Sequence, residues 1–177
     1  MESKEIQILE AAEKMIRAGG YNAFSFREIA SVVGIKSSSV HYYFPTKADL
    51  GAAVAAYYTD QFMNGLGTPD AIIQENKDPI DVYIKVFREK LIQDKRMCLF
   101  GMLGAEVKGV PSIVSAQIKV FFERNIEWLT AVYALKGSKE DAQAKAVQAI
   151  ALLEGAVITS NVIGSVEVFD QATASLR

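Results

Sequence analysis

The chain has 177 residues, half of them apolar, with 19 basic against 21 acidic side chains and a formal net charge of −2; this is enough for one compact core plus a small appended domain. A single cysteine excludes an internal disulfide framework, and one cysteine and one histidine 57 residues apart make no zinc site. The near-even charge balance gives no global attraction to nucleic acid, so any phosphate contact has to come from a local excess of base.

The N-terminus, MESKEIQ, lacks the basic patch and apolar run of a secretory signal, and the expectation is a cytoplasmic protein. Over residues 4–18 the apolar positions Ile8, Ala11, Ala12 and Met15 recur with helical spacing and predict an amphipathic helix, ended by Gly19-Gly20. Residues 26–47, FREIASVVGIKSSSVHYYFPTK, predict two short helices joined by a tight turn. Ser25 is a good N-cap, and Glu28 three residues later closes a capping box. Ile29, Ala30 and Val33 form the buried face of the first of these helices, and Gly34 permits the sharp reversal. Val40 and Phe44, four apart, anchor the second helix from behind, which leaves Ser38, Ser39, His41, Tyr42 and Tyr43 to point outward. Such a face suits a DNA major groove, with hydroxyls and rings reaching bases and phosphates. The unit reads as a helix-turn-helix.

Pro45-Thr46 breaks the chain before a long helix from Lys47 to about Gly65, and Gly65, Gly67 and Pro69 form a breaker cluster. Asp78-Pro79 opens the next helix with proline in its first turn; Ile80, Tyr83, Ile84, Phe87 and Leu91 are its apolar stripe. A charged break at residues 94–97 precedes a short glycine-studded helix over 98–108. Pro111 opens a helix to about Leu135, and Gly137-Ser138 breaks it. A last long helix is predicted over 139–163, with a tail to Leu176 adding a final turn. Its apolar run, residues 149–164, contains Glu154 and Asn161 and is too short to span a bilayer, so no membrane partner is expected. The fold class is all-α.

Residues 8–50, ILEAAEKMIRAGGYNAFSFREIASVVGIKSSSVHYYFPTKADL, resemble the DNA-binding domain of TetR/AcrR-type transcriptional regulators. The likeness rests on three fragments in order: a helix ending at AGGYNAFS, the REIA…GI turn, and the YFPTKADL exit into the next helix. It implies a three-helix DNA-binding domain over residues 1–46 and a helical effector-binding and dimerisation domain over 47–177. It further implies a homodimer on a palindromic double-stranded operator, a reading helix over about Ser37 to Tyr43, and Lys47 as the phosphate-contacting lysine. Many members carry tyrosine where this chain has His41. The expected DNA-binding residues are Arg27, Lys36, Ser37, Ser38, Ser39, His41, Tyr42, Tyr43 and Lys47. Residues 1–50 hold six bases and six acids, but residues 26–47 hold Arg27, Lys36 and Lys47 against Glu28 alone. No arginine lies in the reading helix, so Lys36 is the best candidate for guanine reading.

Ala142, Ala146, Ala149, Leu153, Ala156 and Ser160 set small residues along one face of the last long helix, with Gly155 beside them. Close approach within one subunit is one explanation; half of an intersubunit four-helix bundle, as the resemblance implies, is the other and is favoured here. Phe62, Phe87, Leu91, Cys98, Phe100, Met102, Phe121 and Trp128 are expected to line an effector cavity, although helical stripes need such residues for packing anyway. The effector is unidentified, apolar or electrophilic. Cys98 has two readings. Cysteine is ordinarily a small buried hydrophobe; against that, Lys95 and Arg96 precede it at an expected helix N-terminus, where thiolate is favoured. CLFGMLGAEV resembles a motif in regulators that sense electrophiles or oxidants through a cysteine there. Glu106 and Glu154 are possible buried carboxylates. No cofactor, metal site or catalytic constellation is expected: GxxxxGK loops are absent and His41 sits in the reading helix. The competing function is an architectural or protein-interaction dimer of the same fold without small-molecule control.

Overall fold

The computed structural model describes residues 3–94, 97–137 and 139–177, with the side chains of 93 and 94 undescribed. Among them the regular structure is helical throughout: α1 (Lys4–Gly19), a 3-10 turn (Tyr21–Ala23), α2 (Phe26–Val33), α3 (Ser37–Tyr43), α4 (Lys47–Leu66), α5 (Pro69–Gln74), α6 (Pro79–Asp94), α7 (Leu99–Ala105), α8 (Ser112–Leu135), α9 (Ala142–Ile163), α10 (Val166–Thr173) and a closing 3-10 turn (Ala174–Leu176). The chain is all-α, as its periodicity predicts.

The helices form two compact units, Met1–Gln61 with Leu99–Phe121, and Phe62–Cys98 with Phe122–Arg177. In the first, α1 lays Ile8, Ala12 and Ile16, all fully buried, against α2 and α7. Met15, expected on that face, is only half-buried. Leu99, Phe100 and Leu103 carry α7 into the same core, where the Phe100 ring stacks on Phe121 at 3.8 Å.

In the second unit α6 buries its whole predicted stripe, from Ile80 to Leu91, and packs with α9 and α10. Arg88 clasps Asp170 of α10 with two hydrogen bonds, 2.7 and 2.9 Å. The small-residue face of α9 turns inward: Ala142, Ala146, Ala149, Leu153, Ala156 and Ser160 are all buried. Packing within the subunit therefore accounts for that face. Gly155 lies on the opposite side, where an added Cβ would meet open space.

Four local expectations need correction. The breaker cluster at residues 65–69 hides a further helix, α5: Thr68 Oγ1 accepts the Ala71 N–H and Pro69 takes the first helical position. Thus Thr-Pro is a start signal as well as a break. α7 stops at Ala105 and the chain turns over residues 106–110. α9 starts at Ala142 rather than at Lys139, and Asp141 before it makes no side-chain cap hydrogen bond. The tail is an eight-residue helix, α10, that buries Phe169 and Thr173. Helix α9 at 22 residues is long and apolar enough by length and composition to cross a bilayer, which the shorter run at 149–164 concealed; its inward face is nevertheless committed to protein packing.

Candidate nucleic-acid interface

The reading unit is built by local chemistry at three chain reversals. Ser25 has an extended backbone, and its Oγ accepts the Glu28 N–H at 3.3 Å while donating to Glu28 Oε2 at 2.7 Å. This is a capping pair in which the glutamate takes the serine hydroxyl rather than its backbone amide. Gly34 sits in the left-handed region at φ 70°, and its N–H and that of Ile35 both close on the Ala30 carbonyl. Thr46 starts α4: its N–H and Oγ1 donate to Asp49 Oδ2, and Oγ1 accepts the Asp49 N–H.

Between these reversals α3 is anchored by Val40, fully buried, and by Phe44, whose N–H closes on the Val40 carbonyl. Val33, expected beside Ile29 and Ala30, is half-buried. Ser38, His41, Tyr42 and Tyr43 face solvent, Tyr42 at 84 % exposure, and Ser37 and Ser39 are half-buried. Arg27 and Lys36 are exposed around the same helix. The Tyr42 and Tyr43 rings meet edge to face at 5.4 Å, and His41 packs its ring on Phe26 at 4.5 Å with Nδ1 3.3 Å from the Pro45 carbonyl oxygen.

Lys47 is held by residues that the sequence pattern did not single out. Its ammonium lies 4.5 Å above the Phe24 ring and 5.2 Å above the Tyr21 ring. Attraction of a cation to a ring face restrains this long side chain at the start of α4. The fragment GGYNAF carried both rings, and an aromatic pair about 25 residues ahead of a lysine has no spacing rule that would reveal it. Lys4 was missed too; its Nζ donates to the Val33 carbonyl at 3.4 Å, tying α1 to the end of α2.

The residues expected to line an effector cavity fall in both compact units. In the first, Phe100 and Phe121 stack, Tyr58 meets Phe100 at 5.8 Å, and Met102 is half-buried. In the second, Phe62, Phe87 and Trp128 gather on Tyr83, which stacks on Trp128 at 5.3 Å. Tyr83 donates to Asn125 Oδ1 at 2.6 Å and Trp128 to the Gly67 carbonyl at 2.8 Å. Leu91 lines a groove of about 550 Å³ with Ile92, Ser160, Asn161 and the start of α10.

Cys98 is buried and its thiol donates to Glu154 Oε1 at 3.1 Å. Burial raises the Glu154 carboxyl to about 7, against a smaller lowering by the Cys98 hydrogen bond, and its Oε2 meets no partner among the described residues. A thiol paired with a carboxyl group is the opposite of the cationic setting that favours thiolate. Lys95 and Arg96, the cations invoked for that setting, lie outside the described residues. Burial also pushes the Tyr83 hydroxyl well above its ordinary value, with the charges of Glu154 and Cys98 adding to it.

Residues 8–54 match the family described as "Bacterial regulatory proteins, tetR family". A TetR transcriptional regulator from Legionella pneumophila superposes with a TM-score of 0.86 at 31 % identity, over 99 % of this chain and 96 % of that one. The chain belongs to the TetR family of transcriptional regulators. A TetR-family regulator from Agrobacterium tumefaciens is similar at 28 % identity and TM-score 0.85, over 98 % and 95 % of the two chains. The HTH-type transcriptional regulator YuxN of Bacillus subtilis is 38 % identical over 61 residues, which span 34 % of this chain and only 21 % of that protein. A TetR-family chain is a DNA-binding transcription factor and not an enzyme.

Proposed function

We propose that this TetR-family regulator is a cytoplasmic homodimeric repressor that binds a palindromic operator and is released by a small-molecule effector, apolar or electrophilic. Residues 1–46 bind DNA and residues 47–177 dimerise and hold the effector. Ser37, Ser38, Ser39, His41, Tyr42 and Tyr43 read the groove, while Arg27, Lys36 and Lys47 engage phosphates or a base edge. The observation that carries this reading is the two-sidedness of α3, with Val40 inward and Ser38, His41 and Tyr42 outward, beside exposed Arg27 and Lys36.

Dimerisation is assigned to the outward face of α9. Ala144, Val147, Ala151, Gly155, Ile158 and Val162 follow one another at three- and four-residue steps and are all exposed. A second copy that covers this stripe supplies the two-fold axis that paired half-sites about 34–36 Å apart require. An effector that prefers a dimer with its heads splayed breaks that spacing.

The mutual packing of Phe100 on Phe121 and of Tyr83 on Trp128 favours the second reading, the same fold with a filled interior and no effector. Selection of the purified protein on a random duplex library at near-physiological salt tests the proposal. Recovery of one palindrome supports a specific dimeric regulator, and recovery of no consensus from folded protein moves the assignment to an architectural dimer.

A further inference from the structure

Glu106 takes no part in the reading face and is not on a helix. It opens the turn after α7, fixed there by its own N–H on the Leu103 carbonyl at 3.2 Å and by the Gly109 N–H on its carbonyl at 2.7 Å. From that turn its Oε2 accepts the backbone N–H of Tyr21, 85 residues earlier, at 2.7 Å. Its other oxygen lies flat on Gly20: a Cβ there would come within 2.2 Å of Oε1. Gly20 also has φ 85°, so both space and backbone require glycine at this point.

Tyr21 is where this contact meets the DNA-binding chemistry. The Tyr21 ring is buried, sits 5.7 Å edge-on to Phe24, and fills the space beside Gly51, where an added Cβ would lie 2.6 Å from Tyr21 Cε2. The same two rings lie beneath the Lys47 ammonium. A carboxylate accepting a backbone N–H makes one of the stronger hydrogen bonds available to the chain. Losing it leaves the amide at the start of a 3-10 turn without that partner and lets the turn shift.

We infer that Glu106 is a positioning residue for DNA binding: by holding the Tyr21 amide it sets the aromatic seat of Lys47, and so couples α7 to phosphate contact. The inference rests on the reading of Lys47 as a phosphate contact. It also gives effector control a route, because α7 carries Phe100 and Met102, and an effector that shifts α7 withdraws the carboxylate from Tyr21.

Four variants test it on the selected operator across a salt series: Glu106→Ala, Glu106→Asp, Glu106→Gln and Glu106→Ala combined with Lys47→Ala. Glu106→Gln keeps an acceptor at full reach, so binding within about twofold of the parent is expected. Glu106→Ala loses the acceptor and Glu106→Asp draws it back, and each is expected to weaken binding about fivefold to tenfold, measured at a temperature where both variants are fully folded. In the Lys47→Ala background, Glu106→Ala is expected to cost nothing further. Amide hydrogen exchange supplies a readout without DNA: the Tyr21 N–H exchanges faster in Glu106→Ala and Glu106→Asp, and as in the parent in Glu106→Gln. A negative charge acting only through its field gives the opposite result, with Glu106→Ala and Glu106→Gln both binding more tightly, and that overturns the inference. Equal losses with and without Lys47, or a Tyr21 exchange rate indifferent to Glu106, overturn it too. A parent protein that binds no duplex fails differently, by removing the phosphate role of Lys47 itself.

Discussion

Helices α3 and α9 each bury one face and expose the other, and the two exposed faces differ in chemistry. α3 offers hydroxyls, an imidazole and two phenol rings beside lysine and arginine. α9 offers a stripe of alanine, valine, isoleucine and glycine, with Val162 at 81 % exposure and only the uncharged Gln143, Gln148 and Thr159 as exposed polar side chains. The first face is suited to a hydrated, charged partner and the second to an apolar one. Their responses to salt should therefore diverge: phosphate contact falls steeply as counterions compete, whereas burial of apolar surface does not weaken. A regulator needs both, because a dimer that dissociated with its DNA under salt would lose the spacing that makes the site specific.

The sharpest way to break the comparison is to give α9 the chemistry of α3. Ile158→Glu places two like charges across the proposed two-fold, and self-association should weaken at least 100-fold, about 3 kcal/mol. Sedimentation at micromolar concentration then moves from twice 19.4 kDa to the 19.4 kDa chain, and the operator is bound only as half-sites. Because Ile158 is exposed within one chain, the melting of the monomer should barely change. A variant that remains dimeric removes α9 from the interface.

The next effect lies on the buried side of α9. Glu154 has a folded pKa raised from 4.5 to about 7. Between those values the folded state binds more protons than the unfolded state, so its contribution is present below about pH 4.5 and is lost as pH rises through about 7. Glu154→Gln removes that dependence. Relative to the parent, its unfolding free energy should improve by about 2–3 kcal/mol between pH 4.5 and pH 8. Chemical denaturation at the two pH values measures it, and parallel profiles for parent and variant rule out the buried carboxyl.

The two regions were unequally legible for the same reason that they differ. Around α3 the signals are local: Ser25 and Glu28, Gly34, and Val40 with Phe44 each act within four residues, and each sits in the structure where its pattern puts it. The α9 region depends on contacts that close only after folding. Its small residues looked like an interface and turned out to face inward, since a stripe of alanines packs equally well on either kind of neighbour. Glu154 finding Cys98 56 positions away, and Glu106 finding Tyr21 across 85, have no periodicity to announce them. Helix α5 was lost because one Thr-Pro pair serves both as a break and as a start. The membership and the all-α class were legible because they rest on the local signals.

Within the reading unit, Lys47→Ala should weaken binding to every sequence by about tenfold at ~150 mM salt and reduce the salt slope by about one per head. A loss confined to the operator contradicts a phosphate role.

Two serines in the same unit separate architecture from reading by smaller effects. Ser25→Ala removes a cap and should cost about 1 kcal/mol of stability, seen as a lower melting temperature with an unchanged base preference. Ser39→Ala lies half-buried on the reading helix, where only a hydroxyl is lost and no cap depends on it. Its stability should stay within about 0.5 kcal/mol of the parent, and its preference should relax at one position in each half-site. The pair is decisive because both changes delete the same atom from the same short segment. If Ser39→Ala lowers binding equally on all duplexes, its hydroxyl meets the backbone and not a base, and specificity passes to His41, Tyr42 and Lys36.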